Sequence, residues 1–273
     1  MKIAAAQMTC AVGDVAANVR KIAGYCDRAK TSGAELVVFP EMVDTGYSMP
    51  VIAQHATAWN TGAVPELAAI ANLLALAIIC GVSERDGDRI YNSQVFVNAR
   101  GEIAGKYRKT HLFTPPPIEE DKCFTCGDEL AACTLGDLRL GLSICYDLRF
   151  PEVYRRLAAD DAANVLVISS AWPFPRVDHL RVLATARAIE NQSYVVLANR
   201  VGTDDGTSFC GTSAIIDPYG VVIAAASSDR EELIYGEVSP DVLRSVRERM
   251  PVFAHRRAEL YAPRPVPMPV NAS

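Results

Sequence analysis

Between Leu138 and Ile144 the apolar residues Leu138, Leu140, Leu142 and Ile144 alternate with Arg139, Gly141 and Ser143, and Cys145 follows at once. A period of two is the mark of a strand with one apolar face. Pro151 and Glu152 then open a run that reads as a helix, Pro151–Ala159. Proline suits the first helical position and an acid suits the first turn. A strand that feeds a helix through a short turn calls for a sheet with helices packed on it. It also sets the Cys145 thiol in a turn whose backbone N–H groups have no internal partner and point outward. A free cysteine alone is most often a small buried filler, so the rest of the chain has to decide its role.

The same alternation of elements recurs along the chain. Residues 2–8 read as a strand, and Asp14 caps a helix whose apolar positions Val15, Val19, Ile22, Cys26 and Ala29 step by four and three. Residues 35–39 form a β-branched strand stopped by Pro40, with Glu41 at its carboxyl end, the end at which α/β sheets bind ligands. A helix at 62–76, a strand at 77–82 and a hairpin of 92–97 with 101–106 follow. Residues 107–127 carry Pro115, Pro116 and Pro117 and no clean period, and are expected to form a long functional loop. Beyond Cys145 come a buried strand at 164–169, a helix at 179–190, a strand at 194–198 and a turn at 202–206. A hairpin of 213–216 with 221–225, a strand at 233–238 and a helix at 240–250 complete the run. Strands 35–39 and 164–169 look alike, both apolar and both broken sharply at the carboxyl end. Two related halves packed as sheets with helices outside give an α/β fold, a four-layer α-β-β-α sandwich. The expected organisation is one domain over residues 1–260 and an extended Pro-rich tail over 261–273.

Bulk properties exclude several roles. The 273 residues carry a net charge of −5 and no basic block, which disfavours nucleic acid and anionic membranes. The apolar runs are too short to span a bilayer. Eight cysteines in a chain of this length, with no export signal read at its start, suggest reduced thiols and a cytoplasmic location. Cys123 and Cys126 have C-x-x-C spacing; a zinc site needs a second ligand pair and a redox site needs a following helix. No metal or cofactor is expected.

Glu41, Lys109 and Cys145 supply a carboxylate, an ammonium and a thiol at turn or loop positions. A thiol needs a base or a cationic neighbour to become a nucleophile near neutral pH. A carboxylate takes the proton, and an ammonium holds the thiolate and then an oxyanion. Such a set transfers acyl groups without histidine, although His111 or His179 could serve a Cys–His pair instead. A binding scaffold, or a zinc or redox protein built on Cys123 and Cys126, is the rival from another class.

Three segments resemble the signatures of the nitrilase, or carbon–nitrogen hydrolase, superfamily: Phe39 to Met42, Tyr107 to Phe113 and Ile144 to Glu152, with a similar helix over Ala186 to Gln192. The resemblance runs through essentially the whole chain and implies the α-β-β-α sandwich, commonly assembled as a homodimer or larger. It implies that Cys145 is the nucleophile and Glu41 the general base. Lys109 and the backbone N–H of Tyr146 would bind the oxyanion. A second glutamate, Glu120 or its neighbour Glu119, would orient Lys109. Asp147, Arg149 and Glu152 would fix the turn through ion pairs. The Cys145 segment and Trp172 look most like the ω-amidase branch, whose substrates are 2-oxoglutaramate and 2-oxosuccinamate. Arg176 would then clamp the far carboxylate, with Tyr47 and Trp172 as walls. The alternatives are amidases of deaminated glutathione or of N-carbamoyl amines. Pro115 to Pro117, Cys123 and Cys126 depart from many relatives and leave the loop shape open.

Overall fold

The computed structural model describes residues 1–261, so the expected Pro-rich tail lies outside the described residues except for Tyr261, which ends a helical turn. The first sheet contains β1 (Lys2–Gln7), β2 (Leu36–Val38), β3 (Ala77–Asp86), β4 (Arg89–Val97) and β5 (Ile103–Arg108). The second is built on β6 (Ala131–Leu135), β7 (Leu138–Ile144), β8 (Val165–Ser170) and β9 (Tyr194–Asn199). A separate hairpin pairs β10 (Val201–Asp204) with β11 (Thr207–Cys210). Next, β12 (Ala214–Ile216) and β13 (Val222–Ala225) extend the second sheet, and β14 (Glu232–Glu237) returns to the edge of the first. The helices are α1 (Val15–Thr31), α2 (Met49–His55), α3 (Ala63–Leu74), α4 (Pro151–Ala159), α5 (Val177–Asn191), α6 (Pro240–Arg249) and α7 (Ala258–Tyr261).

The sheets have one plan. The order β14-β1-β2-β3-β4-β5 has three parallel strands, β1 to β3, flanked by antiparallel neighbours. The order β6-β7-β8-β9-β12-β13 repeats that pattern with β7 to β9 parallel. The two look-alike strands, β2 and β8, therefore hold the same central place in their sheets.

Alternation along each strand sorts side chains between two layers. Ile3, Ala5, Leu36, Val38, Ile79 and Phe96 face the second sheet and join its Leu140, Leu142, Val167 and Val196 in one core. Their neighbours Ala4, Ala6, Val37, Ile78 and Val95 face α1 and α3, with Ile22, Cys26 and Leu67. Helices α4 and α5 cover the other side of the second sheet through Tyr154, Leu157, Leu180 and Ala184. The layers are thus helices, sheet, sheet, helices. Asp14 caps α1 by accepting from Ala17 N at 2.9 Å, as its position in the sequence suggests.

Some elements differ from the sequence reading. The turn at 202–206 lies within the β10–β11 hairpin, whose strands have only four residues each. α2 was not anticipated: it is seven residues long, lacks a side-chain cap bond and buries only Ile52. β6 was also missed, because Ala-Ala-Cys-Thr-Leu at a sheet edge has little β-branched content. The hairpin partner read at 101–106 is β5, displaced toward Arg108, which brings Lys109 directly to the strand's end.

Candidate active site

Glu41 follows β2, and its placement depends on a glycine. A Cβ on Gly81 would stand 2.5 Å from Pro40 O and 2.6 Å from Glu41 Cα, so only a residue without a side chain lets that backbone lie so close. Met42 turns the chain away at φ 51°. The Glu41 carboxylate is fully buried. Its Oε2 accepts from Ala171 N at 2.7 Å, just past β8 on the other sheet. Its Oε1 accepts from Asn92 Nδ2 at 2.7 Å and Lys109 Nζ at 2.9 Å.

Lys109 Nζ donates also to Glu120 Oε1 at 2.7 Å, so one ammonium stands between two carboxylates. Tyr47 Oη donates to Glu120 Oε1 at 2.5 Å, and Phe113 N donates to Oε2 at 2.6 Å. Of the two candidate glutamates, Glu120 is the one in the cluster; Glu119 pairs with Lys122 nearer the surface. The long loop is pinned where Gly127 N donates to Lys109 O at 2.8 Å. A Cβ on Gly127 would stand 2.2 Å from Arg108 O.

Two carboxylates and one ammonium out of water leave an excess negative charge. Burial pushes the Glu41 carboxyl above its ordinary value, and Glu120 adds to that push while Lys109 opposes it. For Lys109, burial works toward a lower pKa, but the charges of Glu120 and Glu41 outweigh it and hold the group well above the usual lysine range. Glu41 is thereby inclined to take a proton, and Lys109 to keep its own.

Cys145 directly follows β7 with φ 43°, a left-handed conformation that costs a non-glycine residue about 1–3 kcal/mol. The backbone then makes a 3₁₀ turn, Cys145–Arg149, before α4 begins. The thiol is nearly buried, and burial, followed by the charge of Glu41, raises its pKa above the ordinary range; Lys109 acts against both. The resting group is a thiol that feels a carboxylate and an ammonium close by.

Asp147 ties the two loops together. Its Oδ2 accepts from Ile144 N at 2.9 Å and Tyr107 Oη at 2.7 Å. Its Oδ1 accepts from His111 N at 3.2 Å and faces His111 Nδ1 at 3.0 Å. The Lys109 segment is thus fastened to the Cys145 turn. The expectation of ion pairs at this turn needs correction. Asp147 binds backbone, tyrosine and histidine, and Arg149 and Glu152 form no ion pair among the described residues. Arg149 instead spreads its guanidinium over the Trp172 ring, 4.7 Å from the centroid.

A narrow cleft opens beside Cys145. Tyr47, Tyr146, Trp172 and Arg176, all singled out in the sequence, line it, as does Arg149, which was not chosen as a substrate contact. Asn92 was missed as well. The polar run Asn92-Ser93-Gln94 inside a strand was its available signal, and all three are buried. His111 stacks on Phe150 at 3.8 Å, and His179 lies by Arg149, so the carboxylate Glu41 is better placed than either ring to serve the cluster. Cys123 and Cys126 are free thiols, one half-buried and one exposed, and no helix begins at either. Among the described residues no group of three or more His, Cys, Asp or Glu could hold a metal ion.

The model of the carbon-nitrogen hydrolase family matches residues 2–248. The chain belongs to the carbon–nitrogen hydrolase family. This hydrolase is 34% identical over 260 residues to the 2-oxoglutaramate amidase of Bacillus subtilis, covering 95% of this chain and 98% of that one. Its fold matches the crystal structure of Saccharomyces cerevisiae Nit3, a member of branch 10 of the nitrilase superfamily, with a TM-score of 0.86 and 29% identity over 94% and 96% of the two chains. It also matches a glutamate-to-glutamine mutant of the amidase from Nesterenkonia sp. AN1, which carries a Michael addition of acrylamide at the active site cysteine. That likeness has a TM-score of 0.84 and 27% identity, over 96% of this chain and 98% of the other. The α-β-β-α fold and the assignment to carbon–nitrogen hydrolases of the amidase type both stand.

Proposed function

We propose that this hydrolase removes ammonia from the terminal amide of a short 2-oxo dicarboxylic monoamide, 2-oxoglutaramate or 2-oxosuccinamate. Glu41 takes the proton of Cys145, and the thiolate attacks the carboxamide carbon. Lys109 and the backbone N–H of Tyr146 bind the oxyanion, a kind of contact worth about 3–4 kcal/mol per donor. Glu120 keeps the ammonium in position. Glu41 returns its proton to the leaving nitrogen, ammonia departs, and a thioester remains. Water, deprotonated by Glu41, attacks the thioester, and collapse releases the acid and restores the thiol.

The observation that carries this reading is Lys109 held at 2.7 and 2.9 Å from two buried carboxylates beside the Cys145 cleft. Arg176 supports the substrate class. It lines that cleft and pairs with no carboxylate among the described residues, which leaves its fork for the far carboxylate of the substrate. Tyr47 and Trp172 wall the chain between. The name of the Bacillus subtilis relative, 2-oxoglutaramate amidase, supports the same class.

Ammonia release from a panel of amides tests the reading. Turnover of 2-oxoglutaramate that vanishes in Cys145→Ala is expected. Preference for deaminated glutathione, or carbon dioxide released along with ammonia from an N-carbamoyl amine, would replace it with the neighbouring amidase activities. An unchanged KM for 2-oxoglutaramate in Arg176→Ala would remove Arg176 from the site.

The proposed working form is a homodimer or larger homo-oligomer. Exposed Val182 and Ile189 on α5, with Val221 and Val222 of the adjoining hairpin, offer apolar surface for it. Eight free cysteines suit a reducing cytoplasm. No helix among the described residues is long and apolar enough to cross a membrane.

A further inference from the structure

One hydroxyl beside the cluster is buried and idle. Ser169 and Ser170 end β8, and both are fully buried. Ser169 is occupied: its Oγ donates to Phe39 O at 2.7 Å and accepts from Gln94 Nε2 at 2.8 Å. Alternation turns Ser170 to the other face. There its Oγ, shielded from solvent, has no hydrogen-bond partner among the described residues. Its backbone, by contrast, is committed. Ser170 O accepts from Arg200 N at 2.9 Å, and the next amide, Ala171 N, donates to Glu41 Oε2 at 2.7 Å. A buried hydroxyl without a partner is costly, and folded proteins hold few of them.

Its neighbour is the nucleophile. β7 and β8 run parallel with Ile144 opposite Ser169, so the next step of the register sets Cys145 opposite Ser170. Burial and then Glu41 raise the pKa of the Cys145 thiol, while Lys109 and then the Ser170 hydroxyl work the other way. The hydroxyl is therefore within reach of the sulfur, yet makes no bond of settled geometry at rest. The chemistry of the acceptor accounts for this: a thiol sulfur accepts weakly, whereas a thiolate is a charged acceptor. We propose that Ser170 is a catalytic hydroxyl, which donates to the Cys145 sulfur once Glu41 has taken the thiol proton. The proposal rests on Cys145 as the nucleophile in the mechanism above, not on which amide is cleaved. Glu41 receives the proton, the electron pair of the S–H bond stays on sulfur, and Ser170 keeps its own proton while donating it. When sulfur bonds the acyl carbon its charge is gone and the hydrogen bond lapses. It forms again as the C–S bond of the thioester breaks and the pair returns to sulfur.

The test removes the hydroxyl in Ser170→Ala and reads the sulfur directly. Iodoacetamide alkylates a thiolate with loss of iodide, and peptide mass spectrometry follows the rate at each cysteine at pH 7.5. Alkylation of Cys145 is expected to slow about tenfold, the effect of one lost hydrogen bond to a charged acceptor. Exposed Cys126 should keep its rate and serve as the reference. kcat for amide hydrolysis should fall by a similar factor with KM within about twofold, since the bond forms around the covalent steps and not on substrate binding. The melting temperature should hold or rise, because the hydroxyl has no partner at rest. A fall of more than about 5 °C would mean that the hydroxyl was already bonded, and would overturn the proposal. Cys145 alkylation within about twofold of the unaltered enzyme would overturn it too, whatever happens to kcat. Slowed alkylation in an enzyme that hydrolyses neither 2-oxoglutaramate nor 2-oxosuccinamate would keep Ser170 in its role and overturn the substrate class instead.

Discussion

Asp147 makes a sharp target because its removal strands known donors. In Asp147→Ala, Tyr107 Oη and Ile144 N lose an acceptor at 2.7 and 2.9 Å, and His111 N loses one at 3.2 Å. A buried donor left unsatisfied costs about 1–3 kcal/mol. Tyr107 can turn its hydroxyl to Thr110 Oγ1 at 2.9 Å, which limits its loss, whereas the Ile144 N–H has no such recourse. The expected cost is about 3–5 kcal/mol, and for a chain of this size about 10 °C in melting temperature. Asp147→Asn keeps one acceptor and should cost only about 1–2 kcal/mol. Function should fall further than stability in both variants, because the Lys109 segment and the Cys145 turn lose their common anchor. Misplacement by about 1 Å can cost about a hundredfold in rate. Denaturant unfolding together with kcat and KM for an amide substrate reads both effects. If Asp147→Ala unfolds within about 1 kcal/mol of the unaltered protein and keeps its kcat, the anchoring argument is wrong.

Three further outcomes are expected. Lys109→Met should lower kcat by about 10²–10³ and destabilise the fold by about 3–5 kcal/mol, since it removes an oxyanion donor and leaves Glu41 and Glu120 buried without their cation; kinetics and calorimetry on one preparation check both. kcat/KM should fall on acidification with a midpoint above 4.5, the ordinary glutamate value, because a protonated Glu41 cannot accept from Cys145, and a pH–rate profile reads it. Unfolding at several pH values reads the companion sign: the stability that Glu41 contributes is fully present below 4.5 and is lost as pH rises through its higher folded value. Gly81→Ala should depress kcat by pushing Glu41 out of place, because the new methyl meets Pro40 O and Glu41 Cα at 2.5 and 2.6 Å; an unchanged kcat at saturating substrate would show the error here.

Local pattern carried much of this architecture. The β7 alternation, the helix after Pro151 and the likeness of β2 to β8 led to the paired sheets, since each rests on period and on breakers that act within a few residues. Glu41 was legible as a polar residue at a strand end and Lys109 as a charge in the long loop, and the family resemblance joined them to Cys145. What escaped was the contact made across the fold. Asn92 reaches Glu41 over 51 positions, and Ala171 N reaches it over 130. No periodicity reports which strand interior will face another strand's carboxyl end. Arg149 was misjudged for a similar reason: an arginine beside an aspartate suggests an ion pair, yet the turn aims Asp147 inward and Arg149 out over Trp172.

The first sheet supplies Glu41 and Lys109, whereas the second supplies Cys145 and the Ala171 amide. Neither half-molecule owns a working set. The Cys145 sulfur and the Glu41 carboxylate come together only after both sheets have closed on their shared core, so turnover, on the proposed mechanism, is itself a gauge of that closure. Substitutions deep between the layers, remote from any ligand, would register first as lost catalysis. A chain emerging in order carries its glutamate and lysine well before its thiol, and its reactivity arrives last.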